Sequence, residues 1–251
     1  MVLVLPDRAR QRKIPTWLAT PAIIGALVFT AGWLIAGRLQ EHYNPRSDYI
    51  SSLAAVGAAD PWIMILALVV FGVGVMFLGA GLVHVLPGRM GRLGSMGIVL
   101  SGVGVFLAGS MRHDCGVQLP ECSLKVSLGE VSGYHAVHDV VSGLTFVVAG
   151  VSQILISLSV SRQNGWRYLR VPSMVSGALT LVLFTLMISA LFPGWVGAIQ
   201  RTIAVLACVW VSTFAVYLYR ASTRGHPPDA SVAPGASPEA DLLTLAAKHE
   251  T

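Results

Sequence analysis

The sequence predicts an all-α, polytopic integral membrane protein, a bundle of six transmembrane helices. Three observations predict it. Of 251 residues, 54% are hydrophobic and only 12% are charged, against about 25% charged in a soluble domain. Six apolar runs each approach or exceed the roughly 20 residues that cross a bilayer as helix. The 17 lysines and arginines collect in short segments between those runs. That distribution argues against a nucleic-acid partner despite the net charge of +5.

The elements follow in order. Residues 1–15 form a basic tail with Arg8, Arg10, Arg12 and Lys13. The apolar stretch after it is long enough to span, so a retained first helix is expected and not a cleaved signal peptide. Neither end carries a lipidation box. The spans are Thr16–Gly37, Trp62–Leu86, Leu93–Ser110, Val140–Ser161, Pro172–Phe192 and Trp195–Tyr219. Asp60-Pro61 supplies a cap and first turn for the second, and the fourth helix is expected to begin near Ser132. Residues 38–61 are a polar loop. Within it, Asn44 as cap and Pro45 at the first helical position predict a short interfacial helix with Tyr49, Leu53 and Val56 on one face. Residues 111–134 are a second long loop. Three domains result: the tail 1–15, a six-helix domain 16–220, and a tail 221–251 rich in Pro, Ala, Gly and Ser, expected to be disordered. D-L-L-T-L-A-A-K in that last tail can form a short helix.

Six spans put both termini on one side, and lysine and arginine choose the side. The termini and the second and fourth connections carry twelve of them. The other connections carry five: Arg38, Arg46, Arg112, Lys125 and Arg201. Both termini are therefore expected in the cytoplasm of a cell whose plasma membrane holds the chain. Trp62 and Trp195 then mark the outer boundary, and Trp17, Trp166, Tyr168, Tyr217 and Tyr219 the inner one.

Gly94, Gly97, Ser101, Gly104 and Ala108 share one face of the third span, which predicts close approach of another helix. G-V-G-V-M-F-L-G-A-G in the second span reads the same way. Such faces suit packing within the bundle, a helix–helix partner or a homo-oligomer.

No span carries an acid or base near its middle, where ion-coupled transporters usually place one. The polar residues gather at the outer boundary. The stretch Arg112–Asp139 alone holds three of the seven histidines and four of the twelve acids. Tyr43, Arg46 and Asp48 from the first outer loop, His113, Asp114, His135, His138 and Asp139 from the second, and Arg201 from the sixth helix are expected to converge on one polar pocket. On a helix His135 shares a face with His138 and Asp139. These three are metal-ligand candidates, with His113 or Asp114 completing a site. They equally suit general acid–base work, haem ligation together with His113, or a polar cap with no chemistry. Arg201 sits about a turn and a half into its helix, and Asp48 or Asp139 is its expected acidic partner; Asp48 can also pair with Arg46. Cys115 and Cys122 share one outer loop, where an oxidising exterior predicts a disulfide. Cys208 lies alone in the sixth span and suits a small core position.

At these residues the chain resembles the six-span prokaryotic membrane proteins grouped as domain-of-unknown-function family 998. The matching features are Y-N-P-R-S-D-Y-I-S-S-L after the first span and H-D-C-G after the third. His135 or His138 opening the fourth helix and Gln200-Arg201 in the sixth complete them. The resemblance covers about residues 16–220. Members often carry proline–aspartate where this chain has His113-Asp114. The resemblance implies a fold and a membrane location and supplies no activity. The leading expectation is non-enzymatic: binding or handling a lipid headgroup or small polar molecule at the outer pocket. The alternatives are a membrane-embedded hydrolase, with or without a divalent metal, a haem-bearing electron carrier, and a structural subunit of a membrane complex.

Overall fold

The computed structural model describes residues 15–116, 119–161, 163, 165–189 and 191–223. The expected basic N-terminal tail up to residue 14, and the C-terminal tail from 224 with its D-L-L-T-L-A-A-K segment, lie outside them. Seven α-helices form: α1 Thr20–Leu39, α2 Pro61–Val85, α3 Gly88–Ser110, α4 Pro120–Leu128, α5 Gly133–Val160, α6 Arg170–Ile188 and α7 Val196–Thr223. All but α4 belong to segments long and apolar enough to cross a membrane, and the protein is a multi-pass membrane protein. Among the described residues there is no strand.

The long helices close into a ring. Each packs on the next, α1 on α2, α2 on α3, α3 on α5, α5 on α6, α6 on α7, and α7 returns to α1. Lipid supplies no hydrophobic drive between helices, so close van der Waals packing must hold them. The small-residue stripe of α3 meets that need against α5: a Cβ on Gly104 would fall on the Thr145 hydroxyl. The opposite face of α3 meets α2 as closely, since a Cβ on Gly72 would stand 2.6 Å from the Phe106 backbone nitrogen. Both faces are used inside the bundle. The large apolar side chains left exposed, among them Leu27, Leu66, Leu100, Leu144, Val182 and Val209, present the surface that lipid covers.

The two ends of the ring differ. At the proximal end, shared by Thr16 and Thr223, the ring is plugged. Leu218 of α7 fills the space over Gly81 of α2, and Trp210 stacks on Phe214 at 4.1 Å. Trp166 packs against Phe214 and Tyr217 and is buried. It belongs to this plug and not to an aromatic belt, a correction to the sequence expectation. Trp17, Tyr168 and Tyr219 do stay exposed at that end, as Trp62 and Trp195 do at the other.

At the distal end the connections fold over the ring. The expected interfacial helix from Pro45 does not form. Residues 45–47 make a turn in which Asn44 Oδ1 accepts from the Arg46 N–H at 3.0 Å, and a single 3-10 helix covers Ile50–Ala54. Leu53 is buried while Val56 is exposed. The reason is tertiary. Arg112 donates to the Ala54 and Ala55 carbonyls, both at 3.0 Å, and the Val56 N–H donates to the His113 carbonyl at 2.9 Å. The segment is held as a strap between α1 and α2 instead of lying free at an interface. The second long loop contains α4, which was expected to be irregular. Pro120 opens α4, and Gly129, at φ 71°, closes it. Cys115 and buried Cys122 are joined by a disulfide, with the sulfurs 2.04 Å apart.

Candidate functional site

The distal residues singled out from the sequence divide into two groups instead of meeting in one pocket. The first is a latch around Arg201. Its guanidinium donates to the carbonyls of Pro45 at 2.6 Å, Asp48 at 2.9 Å and Gly197 at 3.0 Å, and to the Tyr43 hydroxyl. The expected acidic partner is replaced by this cage of carbonyls. The buried Asp48 carboxylate instead accepts from the Asn44 N–H at 2.8 Å and the Ser47 hydroxyl at 2.7 Å, which fixes the turn. Arg46 likewise leaves Asp48 alone: it donates to the Gly194 carbonyl at 3.2 Å and lies over Trp195. Burial pushes the Tyr43 hydroxyl above the ordinary phenol range, with the Arg201 charge opposing. The phenol thus stays a neutral acceptor for Arg201.

The second group opens into space. Ser132 caps α5, its hydroxyl accepting from the His135 N–H at 3.3 Å. Asp114 clamps this cap, accepting from the Ser132 hydroxyl at 2.7 Å and the Ser132 N–H at 2.5 Å. Those two bonds hold the Asp114 carboxyl below its ordinary range. The first two turns of α5 then project His135, His138 and Asp139 toward His113. His113 Nε2 lies 2.9 Å from Asp139 Oδ1 and His135 Nε2 lies 3.6 Å from Asp139 Oδ2. His113 and His138 rings sit 4.0 Å apart. His113 is 4% exposed, His135 1% and Asp139 55%, so the carboxylate is the accessible member.

The hydrogen bonds assign the ring protons. The Asp114 N–H donates to His135 Nδ1 at 3.3 Å, which leaves the proton of a neutral His135 on Nε2, toward Asp139. His138 Nδ1 donates to the Met111 carbonyl at 2.6 Å, which leaves the lone pair on its Nε2. With His113 donating to Asp139, the buried Nδ1 of His113 has no partner, and neither does His135 Nε2.

His113, His135 and Asp139 offer three ligand atoms within 4.8 Å of one another. His138 is not in that set; its Nδ1 is turned to the Met111 carbonyl. A tetrahedral ion with bonds of about 2.0–2.2 Å needs donors about 3.5 Å apart, so a small inward shift suffices. Ligation through both Nε2 atoms would move the ring protons to Nδ1, at the cost of the Asp114 N–H bond to His135 and onto a buried His113 Nδ1 that has no partner.

Below the cluster lies a distal cavity of about 360 Å³ lined by Tyr49, His113, His138, Asp139, Ser142 and Gln200 among others, with no lysine or arginine among the described residues of its wall. Burial, reinforced by the Asp139 charge, raises the Tyr49 hydroxyl above its ordinary range. Gln200 also fastens the strap, its Oε1 accepting from the Ile50 N–H at 2.6 Å. Ser51, His138, Ser142, Phe146 and Gln200 line a second cavity as well, a narrow apolar one of about 140 Å³. It continues past Phe71, Ile98 and Ala149 to Gln153, Thr180 and Trp210. Tyr43, Arg46, Asp48 and Arg201 line neither cavity, and of the second group His135 and Asp114 stand behind the wall that His113, His138 and Asp139 form. Sequence reasoning missed the deep wall. Its signal was present on α5, where His138, Ser142, Thr145, Ala149 and Gln153 recur every three or four residues on one face.

Fold and site together define a multi-pass membrane protein whose six-helix ring encloses a cavity with a polar distal mouth. Residues 23–217 match the model of a family described as protein of unknown function (DUF998), and the chain belongs to that family. No curated protein and no solved structure matches it.

Proposed function

We propose that the protein binds a single-chain amphiphile, with its polar head at the His113–His138–Asp139 cluster and its tail in the apolar cavity of the ring. The observation that carries this reading is the sharing of Ser51, His138, Ser142, Phe146 and Gln200 by a polar chamber and an apolar slot. From His138 to Gln153 is fifteen residues of α5, about 22 Å of helix. The apolar slot of about 140 Å³ and the polar chamber of about 360 Å³ together set the size of the ligand. The mouth offers one carboxylate, imidazoles, hydroxyls and an amide, and no cationic side chain among the described residues. That chemistry favours an uncharged or cationic head, such as a hydroxyl or amine, over a phosphate. The binding mode does not require catalysis, although His138 Nε2 and Asp139 both suit a general base.

The test is extraction. Purified wild type should release a long-chain amphiphile near one per chain, identified by mass spectrometry. Ala149→Phe, which fills the slot, should release little while keeping its thermal stability. Equal release from both proteins, or none from wild type, would overturn the reading.

The trio His113, His135 and Asp139 favours a second reading, a divalent metal at the mouth. Elemental analysis decides it: metal near one per chain in wild type and absent in His135→Ala is the supporting result, and a metal-free wild type the opposing one. For orientation we propose both termini in the cytoplasm. The basic connections belong to the proximal end, and the Cys115–Cys122 bond lies at the other, where an oxidising exterior favours it. Reporter fusions after Thr223 and in loop 111–134 should report opposite sides.

A further inference from the structure

The blind end of the slot is not wholly apolar. Gln153 and Thr180, 3% and 2% exposed, both line it, and Gln153 Oε1 and Thr180 Oγ1 have no hydrogen-bond partner. Unpaired polar atoms at this depth are costly, about 1–3 kcal/mol each in proteins. Hydroxyls in membrane helices normally escape that cost by bonding their own backbone. Two that line the same slot do so: Ser101 donates to the Gly97 carbonyl at 2.8 Å and Thr145 to the Val141 carbonyl at 2.7 Å. Thr180 does not, although it too sits inside a helix.

The surroundings hold Gln153 in place. Its carbonyl accepts from the Ser173 hydroxyl at 2.8 Å, and Ser173 in turn accepts from the Trp210 N–H at 2.9 Å. Gly177 of α6 leaves room for its Cβ. The neighbouring polar groups are thus occupied with one another, and Gln153 and Thr180 are the residues of the slot wall whose side chains keep an unpaired polar atom.

We infer that the tail of the bound amphiphile carries its own hydrogen-bonding group, a hydroxyl or its equivalent, about 20 Å from the head, and that Gln153 and Thr180 recognise it. This rests on the amphiphile reading above and narrows its ligand class. A hydroxyl both donates and accepts, so it can satisfy the Gln153 amide in either orientation or the Thr180 hydroxyl. A plain alkyl chain leaves both groups orphaned. The site then measures chain length, because the two polar ends of the ligand must reach their partners together. A shorter or unfunctionalised chain pays for one orphaned end.

The experiment compares two probes on the purified full chain, hexadecanol and the α,ω-diol of the same length, by calorimetric titration in detergent. In wild type the diol should bind about tenfold more tightly than the mono-alcohol. Gln153→Leu combined with Thr180→Val keeps the volume of the slot and should bring the two affinities together, mainly by strengthening the mono-alcohol. Gln153→Met alone should lie between. Equal affinities in wild type would overturn the inference while leaving the amphiphile reading standing. Failure of both probes to bind a thermally stable wild type would overturn the amphiphile reading itself.

Discussion

The Arg201 latch and the His113–His135–His138–Asp139 cluster are both polar, both at the distal end, and both built from residues far apart in sequence. They differ in what surrounds them. At the latch, one guanidinium serves three carbonyls and a phenol through its two terminal nitrogens, its Nε alone being left without a partner, and a backbone lies so close that a Cβ on Gly197 would meet Asp48 and Pro45 main-chain atoms. At the cluster, two buried ring nitrogens lack partners and a chamber opens beside them. Paired groups in dry, packed surroundings make a staple. Unpaired groups at a cavity wall make a place for a ligand. Density of polar residues alone does not separate the two.

Variants can press on that difference. Arg201→Leu should act first on the fold: it removes the bonds to three carbonyls and a phenol at once and should cost about 3 kcal/mol, read as a large fall in thermal stability in detergent. Retention of that stability would deny the latch its role. Gly197→Ala drives a Cβ into fixed backbone and should cost about 2 kcal/mol, with faster hydrogen exchange across residues 44–50. His138→Ala should behave in the opposite way. Its structural loss is the bond to the Met111 carbonyl and the buried ring's packing on His113, yet amphiphile retention should fall severalfold. A variant that fails to accumulate would move His138 to the structural side.

The smallest effect concerns pH. The Asp114 carboxyl is held below its ordinary range by Ser132. Its contribution is therefore fully present above the unfolded value of about 4 and is lost as pH falls through the folded value. Protection of the Ser132 and His135 amides against exchange, relative to the free-peptide rate at each pH, should fall on acidification in wild type. Asp114→Asn should show less protection near neutrality and change little with acid. Identical pH profiles would remove the clamp from the account.

Much of the fold was legible because bilayer thickness is a strong constraint. Six runs of apolar residues became six helices with ends within a few residues of those expected, Ser132 capped α5, and the α3 stripe packed on α5. What was lost depended on tertiary context. Pro45 looked like a helix start, but Arg112 and Arg201 pull the strap into a turn and a 3-10 segment. Pro120 and Gly129 bracket α4 in ordinary fashion, and the flanking polar residues masked them. At the site, His135, His138 and Asp139 were legible from helical spacing. Which histidine turns toward Asp139 was not, since it depends on Met111 and Asp114 presenting backbone groups from another segment. The slot floor was hidden most fully. Gln153 and Thr180 sit among serines and threonines scattered through their helices, and burial and lack of partners distinguish them.

The central claim is that a tail lies in the ring with its end near Trp210. It is tested most directly by fluorescence quenching with hexadecanol brominated at its far carbon. The account predicts saturable quenching in wild type, with a component lost in Trp210→Phe and abolished by Ala149→Phe. Quenching that is unsaturable and unchanged in both variants would place the chain in the surrounding detergent or lipid and contradict the account.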